Sequence, residues 1–140
     1  MSENSIDESV TPQIQLISFG FKHSKTPHAN LVLDVRFLDN PYWVDGLRPL
    51  TGLDEPVQEY VLNQDLAQRT LDNLMGLIHC ALPAVIAGKS NKLVVAIGCT
   101  GGQHRSTAMV EGLYKRLQDE FPGYNVIRKH SNLDVAEMKA

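Results

Sequence analysis

The sequence predicts a small α/β domain built on a mostly parallel, four-stranded sheet flanked by helices. Three observations predict it: four short apolar segments of strand character, two segments with apolar residues at helical spacing, and a strand–helix–strand order over residues 93–127. A strand–helix–strand unit normally forms a parallel crossover, and its helices then cover the sheet. The strand order of the first half stays open on these grounds.

Each strand is predicted from a run of apolar, largely β-branched residues bounded by turn residues. The four predicted strands cover residues 14–19, 31–35, 93–97 and 124–127. Turn-forming residues between the second strand and the first helix predict a long ordered loop over 40–52. Within it, we expect Tyr42 and Trp43 to anchor the loop to the body of the domain in preference to stacking on a base.

Three helices are expected. A short one begins at residue 55, where Asp54 is placed to cap it. Apolar residues at helical spacing predict a long amphipathic helix over 65–87 and another over about 105–120. His79 and Cys80, inside the long helix, are expected to be packing residues.

Charge is distributed unevenly along the chain. Residues 1–13 carry three of the 16 acidic residues and no Lys or Arg, so the remainder holds 13 acidic and 13 basic residues. We therefore expect a disordered acidic tail over 1–13, a folded domain over 14–130 that is close to neutral, and a short tail over 131–140. A neutral domain has no general attraction for nucleic acid, so RNA binding would need a local basic patch.

Several classes of protein are disfavoured. The polar, acidic N-terminus lacks a basic region followed by an apolar one, which argues against a secretory signal and predicts a cytoplasmic location. No apolar run is judged long enough to cross a bilayer, so no membrane partner is expected. Two cysteines, Cys80 and Cys99, cannot build a disulfide framework or a four-ligand zinc site, and we expect no metal and no cofactor.

A loop with the composition of an anion-binding site follows the third strand. Gly101 and Gly102 let backbone N–H groups turn inward, and the next helix points its partly positive N-terminus at the same place. The loop also carries side-chain donors: Thr100, His104, Arg105 and Ser106. Together they predict a phosphate-binding loop. The alternative is a glycine-rich turn with a solvated arginine.

The same loop is similar to the signature of cysteine-dependent phosphatases, because five residues separate Cys99 from Arg105. In those enzymes a thiolate attacks phosphorus and a carboxylic acid protonates the leaving oxygen. The phosphatase signature has His where this chain has Gly98, and Asp39 and Asp54 are the candidate acids. We favour the reading of Cys99 as a small residue at a tight turn, with the enzyme as the alternative.

Basic residues follow the predicted strands, and parallel strands would bring them to one edge of the sheet. The alternative is that charges cluster there only because loops are hydrated. The residues concerned are Lys22 and His23 after the first strand, Arg36 after the second, the Cys99 loop after the third, and Arg128, Lys129 and His130 after the fourth.

Four segments together resemble the C-terminal domain of the RapZ family of RNase adaptor and nucleotide-binding proteins, also called the YvcJ family. The segments are 18–23 (SFGFKH), 34–41 (DVRFLDNP), 47–54 (LRPLTGLD) and 96–106 (AIGCTGGQHRS). They occur in the family's order, and the likeness extends over about residues 16–130. Four long segments are more specific than the phosphatase-like signature alone.

The resemblance implies a function. In this family an N-terminal P-loop domain usually binds ATP or GTP. The C-terminal domain is associated with sensing glucosamine 6-phosphate, with oligomerisation and, in some members, with binding small RNA. Carried over by position, and joined by their neighbours in the loop, the ligand-binding residues are His23, Arg36, Cys99, Thr100, Gly101, Gly102, His104, Arg105 and Ser106. Because they are basic residues that follow predicted strands, Lys22, Arg128 and Lys129 are the residues expected to bind RNA.

Two features depart from the family's pattern. The 140 residues contain no G-x-x-x-x-G-K-[ST] motif, so ATP or GTP hydrolysis is not inherited. Residues 131–140 lack the basic tail of the RNA-binding members. The sequence therefore predicts a regulatory binding module for a phosphorylated metabolite resembling an amino-sugar phosphate. Small RNA and a second copy of the chain are its further expected partners, and a phosphomonoesterase is the alternative.

Overall fold

Four parallel strands form the sheet in the computed structural model, which describes residues 11–88 and 90–133. The strands are β1 (Gln13–Gly20), β2 (Leu31–Asp34), β3 (Lys92–Cys99) and β4 (Asn125–His130), side by side in the order β2-β3-β1-β4. Each neighbouring pair is parallel, which confirms the predicted fold class. β4 continues three residues beyond its predicted end, so the basic residues expected after that strand lie inside it.

Three α-helices accompany the sheet at the predicted places: α1 (Glu55–Leu62), α2 (Asp65–Ala87) and α3 (Arg105–Glu120). The long loop contains a 3₁₀ turn, Pro41–Trp43, that the sequence did not predict. Asp54 is the residue before α1, but the predicted cap bond is not formed. Its Oδ2 instead accepts the N–H of Thr51, 2.8 Å away, because the preceding turn brings that donor closer.

The core lies between one face of the sheet and the helices. Alternate residues of the strands supply that face, among them Leu16, Val95 and Ile97, and α3 covers β1, β3 and β4. Removing each such aliphatic side chain from water contributes roughly 1.5–3 kcal/mol to folding. The core therefore fixes the sheet and α3 as one rigid base for the loops at the edge.

Helix α2 corrects two expectations. By length and composition alone it could cross a membrane, contrary to the sequence argument. The core helix of a globular protein meets the same criterion, and Leu71, Ile78 and Leu82 of α2 are buried in the core. His79 and Cys80 were expected to pack, but both are exposed, and His79 pairs with Glu120 at 2.8 Å. The helical spacing places them on the outer side.

The two chain ends are described in part. Residues 1–10 and 134–140, which include most of both predicted tails, lie outside the described residues. Ser131 donates its N–H to the carbonyl of Ser18 (2.9 Å), and Leu133 is buried. The chain after β4 thus continues along the domain for three residues.

The carboxyl ends of three strands meet where the loops begin. Gly20 at the end of β1 lies beside Cys99 of β3, and Asp34 of β2 lies beside Gly98. The N–H of Phe21 then donates to the carbonyl of Cys99 at 2.9 Å. Parallel pairing therefore gathers three loops at one edge of the sheet, which is where open α/β sheets bind ligands.

Candidate functional site

The loop between β3 and α3 owes its shape to two glycines. Gly102 has a φ of 75°, a conformation that side chains with a Cβ rarely adopt. Gly20, at the end of β1, packs against the loop so closely that a Cβ there would lie 2.5 Å from the carbonyl carbon of Gly101. Backbone therefore packs on backbone, and neither position has room for a side chain.

Arg105 is the first residue of α3, and its side chain is 6% exposed. One guanidinium nitrogen, Nη1, donates to the carbonyls of Arg36 (2.8 Å) and Leu38 (3.1 Å), and Nη2 lies 3.5 Å from Oγ1 of Thr100. Nε is buried and has no hydrogen-bond partner in the described part of the chain. Among the described residues Arg105 forms no ion pair, although buried charges are normally paired. The guanidinium is thus a buried cation short of an anion.

A cleft of about 490 Å³ opens over the loop. Its walls are Lys22, His23, Asn40, Tyr42, Trp43, Cys99, Thr100, Gly101, Gln103, His104 and Arg105. Six of the nine predicted ligand residues line it: His23, Cys99, Thr100, Gly101, His104 and Arg105. None of the lining residues is a carboxylate, so the charged side chains of the cleft are cationic. The cleft is therefore suited to an anion.

Arg36 lies beside the cleft and contributes through its backbone. Its guanidinium Nη2 lies 2.6 Å from Oδ2 of Asp34, and its Cζ lies 4.3 Å from the ring centroid of Phe21. The hydrogen bonds from Arg36 hold the pKa of the Asp34 carboxyl below its ordinary value. The carbonyl of Arg36 accepts from Arg105, so Arg36 positions the central arginine while its own charge is engaged.

Cys99 and Ser106 form a buried pair beneath the loop. The Cys99 Sγ lies 3.1 Å from Oγ of Ser106, whose backbone N–H also donates to the sulfur at 3.4 Å. The candidate acids Asp39 and Asp54 do not line the cleft. Asp54 accepts from Thr51, and Asp39 is exposed beside Gln64. No carboxylic acid among the described residues thus stands ready to protonate a leaving group in this cleft.

The basic residues of the predicted sheet edge divide between two surfaces. Lys22 lines the cleft at the loop, whereas Arg128 and Lys129 line a second depression, over β4 and Tyr114. Arg128 Nε lies 2.8 Å from Oε2 of Glu111, and Arg128 Cζ lies 3.7 Å from the ring centroid of Tyr114. The two surfaces are separate because β4 extends to His130. Arg128 and Lys129 therefore lie within the strand and not in a loop beyond its end, where they would be near the cleft.

A buried polar chain that the sequence did not reveal runs beside the loop. Oγ of Ser18 lies 2.7 Å from Nδ1 of His130, and Nε2 of His130 lies 2.8 Å from Oε2 of Glu111. Oγ1 of Thr107, 3.5 Å from Ser18 Oγ, donates to the carbonyl of Gly102 at 3.0 Å. The chain ties β1, β4 and α3 to the loop. Ser18 and His130 are 112 residues apart, so no local sequence pattern could indicate the contact.

Burial and the neighbouring side chains shift the pKa of Glu111 in opposite directions. Burial disfavours the charged carboxylate, but the hydrogen bond with His130 and the charge of Arg128 outweigh it. The pKa of Glu111 therefore lies below its ordinary value.

Trp43 contradicts the expectation that it anchors the long loop. Its side chain is 74% exposed and lines the cleft, and Tyr42 beside it is 45% exposed. The buried Pro41 anchors the 3₁₀ turn instead. The available sequence signal was an aromatic pair directly after a turn-forming Asn-Pro.

The comparison with known proteins decides the family. The family model of the RapZ C-terminal domain matches residues 12–134. This chain belongs to the RapZ C-terminal domain family. It is 48% identical over 122 residues to a nucleotide-binding protein of Corynebacterium jeikeium, covering 87% of this chain and 41% of that protein. A nucleotide-binding protein of Listeria monocytogenes serotype 4a is 50% identical over 108 residues, covering 77% of this chain and 37% of that protein.

A third relative, a nucleotide-binding protein of Staphylococcus epidermidis, is 45% identical over 136 residues, covering 96% of this chain and 45% of that protein. This chain thus spans less than half the length of the curated relatives it matches. Family membership and the names of the relatives support a regulatory binding module. Residues 11–88 and 90–133 hold no group of three His, Cys, Asp or Glu residues arranged for a metal ion.

Proposed function

We propose that this RapZ C-terminal domain is a regulatory module that binds a phosphate monoester resembling an amino-sugar phosphate in the cleft over the β3–α3 loop, and does not hydrolyse it. The observation that carries the proposal is the Arg105 guanidinium, which is buried at the wall of the cleft and, within residues 11–88 and 90–133, has no counter-ion and no partner for its Nε. A bound dianion would neutralise that charge.

The surroundings of Arg105 favour phosphate over a smaller anion. The N-terminus of α3 places a partial positive charge at the loop, where backbone N–H groups can converge on one ligand. Lys22 and His23 stand on a neighbouring wall, and His104 adds a donor. A tetrahedral phosphate has enough oxygens to accept from several of these groups at once.

Amide groups in the cleft support an organic part with hydroxyl or amino substituents. Asn40 and Gln103 both line the cleft, and each side-chain amide can donate and accept. An amino sugar offers matching groups around its ring. The name "nucleotide-binding protein" belongs to the longer relatives, and for this chain it supports only a small phosphorylated ligand.

The phosphatase alternative is weaker because the cleft provides a thiol without a general acid. Cys99 occupies the position of a nucleophile, but the residue is buried and its thiol is hydrogen-bonded to Ser106. Donors that hold the phosphate equally in the ground state and the transition state do not accelerate a reaction. We therefore expect binding without turnover, and a Cys99→Ser variant that keeps almost the full affinity.

RNA binding is the second part of the proposal. Lys22, Arg128 and Lys129 are the residues proposed to contact phosphates of an RNA backbone. Because Glu111 already neutralises Arg128, and the two basic surfaces are separate, we propose a weak, salt-sensitive interaction.

The test pairs calorimetry with a turnover assay on the same preparations. Inorganic phosphate and glucosamine 6-phosphate are titrated into the wild type and Cys99→Ser, and release of phosphate from a generic aryl phosphate is followed over time. Saturable binding by both proteins without turnover is the expected result. A rate well above background in the wild type that vanishes in Cys99→Ser would replace the binding module with the enzyme.

A further inference from the structure

The cleft is much larger than a phosphate ion requires. Its volume of about 490 Å³ lies within the range of sites for small organic ligands, roughly 300–1,000 Å³. The loop and Arg105 occupy only one side of it. The remaining wall includes Asn40, Tyr42 and Trp43, so the part of the cleft away from the anion loop is aromatic.

Trp43 has no packing role that explains its place. It is 74% exposed, the most exposed of the large apolar side chains in the described ranges. The Tyr42 ring meets its edge at 5.1 Å between centroids, with an interplanar angle of 89°. An exposed tryptophan at the wall of a cleft presents a large, rigid, apolar surface suited to stacking.

The aromatic wall is held rigidly. Oδ1 of Asn40 accepts the N–H of Tyr42 at 3.0 Å, the N–H of Trp43 donates to the carbonyl of Asn40 at 3.2 Å, and Nε of Arg48 donates to the carbonyl of Tyr42 at 2.7 Å. The Arg48 Cζ also lies 5.1 Å from the centroid of the Tyr42 ring. These bonds fix the backbone of the 3₁₀ turn before any ligand arrives.

The same loop is bonded to the anion site. Nε2 of His104 lies 3.2 Å from the carbonyl of Arg48, and the N–H of Gly52 donates to the carbonyl of Gln103 at 2.7 Å. The loop that carries the aromatic wall is therefore hydrogen-bonded directly to the phosphate loop. A ligand with a phosphate at one end and a ring at the other can meet both walls without rearranging the protein.

We infer that Tyr42 and Trp43 form a second subsite that receives the ring of a ring-bearing phosphate monoester while its phosphate lies on the β3–α3 loop. This inference rests on the proposed function and adds the feature that selects among phosphate esters. The shared chemistry is a ring face on a phosphate monoester, whether sugar or nucleobase. Phosphates without a ring fill only the loop.

The sequence offers a direct probe, because Trp43 is the single tryptophan of the 140 residues. Its emission, excited at a wavelength where nucleobases do not absorb, reports on the aromatic wall alone. The ligands are inorganic phosphate, glycerol 3-phosphate, glucosamine 6-phosphate and adenosine 5′-monophosphate. Affinities are measured by calorimetry for the wild type, Trp43→Ala, Trp43→Phe and the control Leu77→Ala, an exposed apolar truncation on α2.

We expect at least one ring-bearing ligand to change the Trp43 emission and to bind about five- to a hundredfold more tightly than glycerol 3-phosphate. Trp43→Ala removes that advantage but leaves inorganic phosphate unaffected, whereas Trp43→Phe retains most of it and Leu77→Ala retains all of it. Ribose 5-phosphate, which is adenosine 5′-monophosphate without its base, is titrated as well, so that a contact with the sugar is distinguished from a contact with the base.

Equal affinity of the wild type and Trp43→Ala for every ring-bearing ligand, with inorganic phosphate still bound, overturns the second subsite and leaves the proposed function standing. Failure of every phosphate ligand to bind the wild type overturns the proposed function, and the subsite falls with it.

Discussion

At the scale of the residue, the proposed phosphate binding depends above all on Arg105. Its place after a Gly-Gly turn could be predicted from the sequence, and anion binding by its side chain stays a prediction. Its burial against the carbonyls of Arg36 and Leu38 could not be predicted, because those contacts span 69 and 67 residues. The charge of Arg36, by contrast, is paired with Asp34 only two residues away, through the turn that follows β2.

Replacing Arg105 with alanine is expected to weaken phosphate binding by roughly 1.5–3 kcal/mol, the range for a hydrogen bond to a charged group. The matched control is Arg69→Ala. Arg69 is an exposed arginine on α2 that pairs with Asp65, and neither residue lines the cleft. Calorimetry with inorganic phosphate measures both variants. An Arg105→Ala protein that binds phosphate as tightly as Arg69→Ala would remove the loop as the site.

Gly20→Ala tests the close packing of β1 against the loop. The new Cβ would lie 2.5–2.8 Å from backbone atoms of Gly101 and Gly102, so the loop has to move. We expect a loss of roughly 1–3 kcal/mol in the free energy of unfolding and weaker phosphate binding. Gly46→Ala is the control, because a Cβ there meets nothing within 4 Å. Equal stability and affinity in the two variants would contradict the packing argument.

At the scale of the element, the spacing of apolar residues predicted the helices well, whereas the end of one strand was predicted wrongly. Helix α2 and helix α3 were predicted within a residue or so, because their apolar residues recur at 3.6-residue spacing. The end of β4 was missed, because charged residues there suggested a loop. In the sheet, Arg128 is accommodated by Glu111 and Tyr114 of α3, contacts that depend on tertiary packing.

The pair of Glu111 and His130 should make stability depend on pH. Because the pKa of Glu111 lies below its ordinary value in the folded protein, the carboxylate stabilises the fold at neutral pH. That contribution is lost as the pH falls through the folded pKa. We expect Glu111→Gln to lower the free energy of unfolding by roughly 1–3 kcal/mol at pH 7, and the difference from wild type to shrink steadily below about pH 4.

Urea unfolding across that pH range measures the effect of Glu111→Gln. Glu120→Gln is the comparison, because Glu120 pairs with the exposed His79. A difference between wild type and Glu111→Gln that stays constant from neutral to acid pH would show that the loss is one of packing and not of charge.

At the scale of the whole molecule, the fold class could be predicted from the apolar patterns and the strand–helix–strand order. The family could be predicted because four long segments matched in order, while the shape of the cleft could not be predicted. The charge balance of the domain was also readable from the sequence. The sequence did not reveal that the cations divide between the cleft and the surface at β4, or that two exposed aromatic side chains line the cleft. Both follow from how distant loops meet.

For RNA, the division of charge predicts weak binding with a strong dependence on salt. A short single-stranded RNA, followed by fluorescence anisotropy, should lose most of its affinity for the protein between low and physiological salt. Arg128→Ala with Lys129→Ala should weaken it further, while Arg69→Ala should have little effect. A tight complex at physiological salt that survives the double substitution would exclude the surface at β4 as the RNA site.

Phosphate binding by the backbone and the arginine of the β3–α3 loop can be followed one residue at a time by NMR. Inorganic phosphate is titrated into the ¹⁵N-labelled protein, and the amide and Arg105 Nε–H resonances are followed by NMR. We expect saturable shifts that are largest over residues 100–105 and at the Arg105 Nε–H, which has no hydrogen-bond partner in the part of the chain that the structure describes. Shifts centred on β4, or none at all, would contradict this expectation.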